Sequence, residues 1–251
     1  MKKRKNSKRR VEKRKRILKF LLFVLILILL YLFAFKTNFF SIRNIEVVGN
    51  KKTSYDQVIK ASMCNKGENI FKINKKKGKE SLERLPYIRE ARIKRKLPKG
   101  IIIQIDERKE IAVIPYIGSF VYVDKEGYIL AVEKKIEEAS LPQIFGLKLE
   151  DFELGSNLYS LLKREGIEEF IAYSQQSNLL SLMKYINFTD NNNTMIELKD
   201  GIKVAFGPLN NVKYKLSFLN NILEDIDEKD INVKKILLNK GDNPIVVTDD
   251  R

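Results

Sequence analysis

The stretch Ile17-Leu18-Lys19-Phe20-Leu21-Leu22-Phe23-Val24-Leu25-Ile26-Leu27-Ile28-Leu29-Leu30-Tyr31-Leu32-Phe33-Ala34-Phe35 decides how the rest of the chain is divided. From Phe20 to Phe35, through Leu25 and Leu30, the run is unbroken and apolar. Nineteen residues at about 1.5 Å each make a helix about 28 Å long, close to the hydrocarbon thickness of a bilayer. Lys19 and Lys36 flank the run, where long amine side chains reach toward the two interfaces. A core helix of a soluble protein would keep one polar face, and none exists here. The stretch therefore reads as a membrane span.

The residues before it set an orientation. Met1 to Lys19 hold twelve Lys or Arg against the single acid Glu12, a local charge of +11. Only Lys36 and Arg43 follow closely on the other side. Positive flanks stay in the cytoplasm, so the expectation is an inside amino terminus and an outside bulk, as in a single-pass type II protein. A cleavable signal peptide needs small residues at its cut site, whereas Ala34-Phe35-Lys36-Thr37 is bulky and charged, so an uncleaved anchor fits better. The basic arm, residues 1–16, also looks like a nucleic-acid or nuclear-targeting tail. Its abutment to the span favours a topology signal touching anionic lipid, and no nucleic-acid partner is expected.

Charge is uneven beyond the span. Phe40 to Glu110 carry nineteen bases against nine acids, and Ile111 to Arg251 carry sixteen against twenty-two. The change of sign near residue 110 marks two units with different surfaces. Histidine is absent, which removes Ser-His-Asp and Cys-His catalysis and histidine metal sites. Cys64 is the single cysteine, so no internal disulfide and no thiolate cluster can form. No cofactor is expected.

Residues 36–41 read as a short link. Ile42 to Gly49 alternate as a strand. Ser54-Tyr55-Asp56-Gln57 is a capping-box pattern that starts a helix through about Ser62. Asn69 to Ile73 read as a brief extended piece, and a second helix is expected from about Lys75 to Leu85, ended by Pro86. Ala91 to Leu97 and Ile101 to Glu107 are strands around the turn Pro98-Lys99-Gly100. The order is β-α-α-β-β.

These landmarks carry a resemblance. Phe40-Ser41-Ile42-Arg43-Asn44-Ile45-Glu46-Val47-Val48-Gly49-Asn50 resembles the opening of a POTRA (polypeptide-transport-associated) domain. Asn69-Ile70-Phe71, Leu85-Pro86-Tyr87-Ile88-Arg89-Glu90-Ala91, Arg95-Lys96-Leu97-Pro98 and Glu107-Arg108 match its later positions. One such domain after a basic tail and an anchor is similar to the FtsQ/DivIB cell-division family. The second unit agrees: the turn Asp124-Lys125-Glu126-Gly127 and the segment Leu141-Pro142-Gln143-Ile144-Phe145-Gly146 resemble that family's. Strands are expected at 111–117, 120–123, 128–130, 185–188, 195–198, 202–206, 233–238 and 245–247. Helices are expected over 158–183, interrupted near Gly166, and over 211–226. Where the family often shows an Asp and an Arg, this chain has Ile236-Leu237-Leu238-Asn239, which puts any role of those charges in doubt.

The expected organisation is a basic tail (1–16), an anchor (17–35), a link (36–41), a POTRA domain (42–108) and a second α+β domain rich in antiparallel strands (109–251). Patterns that suggest catalysis are sparse. Ser160-x-x-Lys163 and Ser181-x-x-Lys184 match the Ser-x-x-Lys of penicillin-recognising enzymes, but the companion motifs Ser-x-Asn and Lys-Thr-Gly are missing. Asp106 and Glu107 form a carboxylate pair, and Glu107-Arg108 reads more simply as a strand-end charge pair. Surface for binding remains. Lys94, Arg95, Lys96 and Lys99 cluster around one hairpin, as a basic patch for lipid, wall polymer or acidic partners or as a solvated edge. By resemblance, a site for small bitopic partners of the FtsL and DivIC/FtsB type falls on Ile236, Leu238, Ile245 and Val247, some of which must instead face the core.

The resemblance implies a non-enzymatic scaffold in the cell membrane, enriched at the division septum and linking cytoplasmic division proteins to septal wall synthases. Two other readings stay open: a POTRA-bearing envelope or secretion factor, and a signal-anchored wall enzyme.

Overall fold

The computed structural model describes residues 2–136, 140–162, 164–241 and 243–248, with the backbone alone for residues 2–12. Helix α1 (Lys2–Lys36) carries the apolar run, and its segment Lys13–Lys36 is long and apolar enough to cross a membrane. Beyond it the chain falls into two compact units.

In the first unit, β1 (Asn44–Val48), α2 (Tyr55–Ser62), α3 (Lys75–Leu82), β2 (Ile88–Lys96) and β3 (Gly100–Glu107) appear in the expected β-α-α-β-β order. The sheet order is β1-β3-β2, with β1 parallel and β2 antiparallel to the central β3. Ile101, Ile103 and Ile105 alternate on β3 and are buried, while Gln104 and Asp106 between and after them face water. Each such isoleucine contributes roughly 1.5–3 kcal/mol by leaving water. Ile45 on β1 and Ile93 on β2 lie in register beside them.

The two helices start where capping chemistry starts them. Ser54 and Gln57 form a full capping box at α2, and the Asn74 carboxamide accepts from the Lys77 amide at α3. Gly78 lets α3 approach α2, since a Cβ there would sit 2.4 Å from the Ser62 carbonyl oxygen. Helix α3 ends at Leu82 rather than Leu85, because the backbone already turns at Glu83 and Arg84 ahead of Pro86. Asn69–Ile73 is a turn rather than an extended piece: only Asn69 bridges, to Ser41, and the Lys72 amide closes back onto the Asn69 carbonyl.

The second unit is one nine-stranded sheet in the order β12-β11-β10-β9-β8-β7-β4-β5-β6. Its strands are β4 (Glu110–Tyr116), β5 (Ser119–Asp124), β6 (Ile129–Glu133), β7 (Gln143–Phe145), β8 (Met183–Asn187), β9 (Thr194–Leu198), β10 (Lys203–Gly207), β11 (Val233–Leu237) and β12 (Ile245–Thr248). Antiparallel pairings dominate, and the sheet is mixed: β7 runs parallel to both β4 and β8, and β10 parallel to β11. Strand β7 comes from the Leu-Pro…Gly segment, too short to show a period.

The helices among the described residues are α4 (Leu158–Leu161), α5 (Ile167–Gln176) and α6 (Val212–Lys229), with a 3-10 turn at Leu179–Leu182. Helices α5 and α6 cover one sheet face. Ile167, Phe170 and Ile171 from α5 join Val212, Leu216 and Leu219 from α6 over Ile186, Phe188, Ile196, Val204, Phe206 and Ile236. Phe170 meets Phe188 and Phe206 edge-on at 5.5 and 5.2 Å. The opposite face holds a smaller cluster on Val113, Tyr122 and Leu130.

Candidate functional site

The described residues turn Ser181 and Lys184 to separate partners. The Ser181 hydroxyl donates to the Asn178 carbonyl at 2.7 Å, and Lys184 turns to Glu197 at 3.7 Å and to the Tyr185 ring. The Ser160 amide donates to the Asn157 side chain as part of the α4 cap, while Lys163 lies outside the described residues. Asp106 pairs with Arg89, Nε to Oδ2 at 3.0 Å.

Glu107 and Arg108 do not pair with each other, contrary to the strand-end reading. Glu107 accepts the backbone amides of Lys51, Lys52 and Thr53 at 2.7, 2.9 and 2.8 Å. Burial opposes its ionisation, and these amides outweigh burial and hold the carboxyl below the ordinary range. Arg108 donates to Asp124 at 2.6 Å and Glu126 at 2.7 Å, and its guanidinium lies 3.6 Å over the Tyr128 ring. This second network escaped the sequence, because its partners lie across a hairpin.

Cys64 is buried, and burial pushes its thiol up. Among the described residues no three Cys, Asp or Glu side chains gather as metal ligands. A cleft of about 710 Å³ is lined by Leu147, Lys148, Arg164, Phe188, Thr189 and Asn191. Its Arg164 guanidinium is engaged with the backbone carbonyls of Phe188 and Asp190.

The basic hairpin divides. Ile93 and Arg95 share the side of β2 that carries buried residues, and Arg95 reaches the carbonyls of Ile70, Phe71 and Ile73 at 2.7, 3.5 and 3.4 Å. Arg95 is thus a clamp on the turn after α2 and not part of a free basic surface. Alternation along β2 contained that signal; counting neighbours in sequence missed it. Lys94 and Lys96 are exposed on the other side, with Lys96 3.7 Å from Glu46. The Lys99 ammonium lies 5.5 Å from the centre of the Phe39 ring.

The four terminal-strand residues divide in the same way. Ile236 is 0% and Leu238 7% exposed, both inside the main core, so the expectation that they form a partner surface is corrected. Ile245 and Val247 lie on β12, one of the two end strands of the sheet among the described residues, the other being β6, and are 46% and 41% exposed. Every residue of β12 is exposed, Val246 included, and its neighbour β11 pairs with it antiparallel. One backbone edge of β12 is left without a strand partner among the described residues.

A helix long and apolar enough to cross a membrane, a three-stranded β-α-α-β-β unit and a mixed nine-stranded sheet define a two-unit protein that presents, among the described residues, an open sheet edge at β12. Two family models match it: the POTRA domain of FtsQ type over residues 40–108, and the cell division protein FtsQ/DivIB carboxy-terminal domain over residues 112–238. The chain is 30% identical to cell division protein DivIB of Clostridium tetani over 224 residues, covering 86% of this chain and 77% of that one. It is 27% identical to DivIB of Clostridium botulinum strain Hall over 249 residues, covering 93% and 92%. The chain belongs to the FtsQ/DivIB family of cell-division proteins. The second model ends at Leu238, so β12 is argued from its own geometry.

Proposed function

We propose that this protein is a bitopic, non-catalytic scaffold of the division machinery, with its basic arm in the cytoplasm and both units outside. It binds small single-span partners of the FtsL and DivIC/FtsB type and connects cytoplasmic division proteins to septal wall synthesis. The observation that carries this reading is β12, a wholly exposed strand with three apolar residues, Ile245, Val246 and Val247, at the rim of a large sheet. An incoming strand would satisfy its free backbone groups, so affinity comes from main-chain hydrogen bonds and needs little fixed side-chain identity. The charge of +11 before the span supports the orientation.

The test expresses the full chain in cells depleted of the native copy, fused to a fluorescent protein at the amino terminus. The parent should form a midcell band and co-purify with its single-span partners. Ile245→Glu with Val247→Glu should keep membrane insertion and the melting profile while losing those partners. Retention of the same partners by this variant overturns the assignment to β12. A uniform peripheral signal from the parent throughout the cell cycle overturns the septal role.

A further inference from the structure

The anchor helix does not end in a free joint. The last four carbonyls of a helix lack partners within it. Here the Asn69 carboxamide donates to the Ala34 carbonyl at 2.7 Å, and the Thr37 hydroxyl donates to the Phe33 carbonyl at 2.6 Å. Phe35 packs on Phe71 with ring centres 5.9 Å apart, and Phe71 packs on Phe40 at 5.0 Å. Phe33 meets Phe39 and Phe40 at 5.2 and 5.9 Å. The turn at Asn38–Phe40 and the turn at Asn69–Ile73 are therefore held at the level of the last helical turn. Phe35 is the last residue of the apolar run and Lys36 closes it, so this level is the headgroup region of one leaflet.

The side chains gathered there match such a region. Apart from Arg95, which is taken up by backbone carbonyls, segments 36–43, 66–77 and 94–99 hold ten Lys or Arg against one acid, Glu68, and Lys96 lies 3.7 Å from Glu46 on β1. The Arg43 amide donates to the Lys99 carbonyl at 2.9 Å, and the Lys99 ammonium lies over Phe39, which places these cations beside the aromatic cluster. Phe39 is 46% and Leu97 57% exposed, two large apolar groups among lysines. Exposed apolar tips set in a basic field are what a protein surface resting in anionic headgroups requires.

We propose that this face of the first unit, formed by Lys36, Phe39, Arg43, Lys72, Leu97 and Lys99, is seated on anionic phospholipid, so that the unit is held against the bilayer instead of hanging from a loose link. Two facts choose lipid as the occupant. The face is continuous with the span through direct contacts, and its charge is complementary to anionic headgroups. The inference holds for whichever leaflet the carboxy-terminal end of α1 meets, and it does not rest on the scaffold reading.

The test uses the full chain in nanodiscs of phosphatidylcholine, with or without phosphatidylglycerol. A nitroxide at Leu97→Cys reports depth through collisions with dissolved oxygen and an aqueous nickel chelate; Cys64 stays in place, and its labelling is measured in the parent. The label should lie at headgroup depth in anionic discs and shift toward water in neutral ones. Lys72→Glu with Lys99→Glu should reduce the seated population about thirtyfold or more in anionic discs. The same two reversals at Lys229 and Lys240, in the second unit, should leave the depth unchanged. Amide exchange of β3 checks that each variant is folded. A label in bulk water in both lipids overturns the proposal. So does a depth indifferent to lipid charge and to the Lys72 and Lys99 reversals, or an equal effect of the control pair.

Discussion

Arg108 and Asp124 form a nearly buried ion pair, Nη1 to Oδ2 at 2.6 Å, with 10% and 3% of the two side chains exposed. Asp124 also accepts the amides of Glu126 and Tyr128, so the same carboxylate builds the turn between β5 and β6. Arg108→Ala would leave that carboxylate buried without its cation. The expected loss is about 3–5 kcal/mol, read as a lowered urea midpoint of the second unit. Arg89→Ala breaks the pair with Asp106, whose side chains are 41% and 50% exposed, and should cost about 1 kcal/mol or less.

Glu107 gives the first unit a dependence on pH. Its carboxyl is held below its ordinary value of 4.5, so the ionised form is the one that stabilises the fold. That stability is fully present above pH 4.5 and is lost as the pH falls through the lower, folded value. Glu107→Gln, which keeps shape and loses charge, should destabilise the unit by about 2–3 kcal/mol at neutral pH. Below pH 4 the difference between parent and variant should shrink. Thermal melts across pH 3 to 7 measure both effects.

Gly78→Ala sets two effects against each other. Alanine favours a helix by about 1 kcal/mol over glycine. The added Cβ, however, would lie 2.4 Å from the Ser62 carbonyl oxygen and 2.8 Å from Ile93 Cδ1. A backbone oxygen on α2 cannot move without moving that helix, so the clash wins. A net loss of about 1–3 kcal/mol is expected in chemical denaturation.

Neighbouring strands at the sheet rim should respond oppositely to the same change. Ile236→Ala empties a site that is 0% exposed and should cost about 2–5 kcal/mol of stability. Ile245→Ala, at 46% exposure, should change stability by about 0.5 kcal/mol or less and weaken partner capture by less than the Ile245→Glu, Val247→Glu pair does. Melting and pull-down on both variants separate the two roles.

Cys64 should be nearly inert in the folded protein. It is 1% exposed, and burial raises its thiol further from reactivity. A thiol reagent at neutral pH should react slowly in buffer and fast in denaturant. Fast labelling of folded protein would show that the first unit opens locally.

Periodicity made the elements legible where it was long or chemically marked. The apolar run to Phe35, the Ser54–Gln57 box and the alternating β3 each carry their own signal within a few residues. Strand β7 was hidden because three residues show no period, and its pairing with β4 and β8 depends on chain far away. The site was half legible. Alternation required some of Ile236, Leu238, Ile245 and Val247 to face inward, but not which.

The sequence by itself determined the membrane-length helix, the β-α-α-β-β order of the first unit and the family, because each rests on local pattern or residue identity. The tertiary structure alone decided that β12 is an end strand of the sheet, that Arg95 is a clamp, and that Glu107 and Arg108 turn to different partners. Those outcomes depend on which strand pairs with which, a long-range choice made by burial and backbone hydrogen bonding over the whole unit. Ile236 and Ile245 look alike in sequence; the cover of α5 and α6 over β11 separates them in the fold.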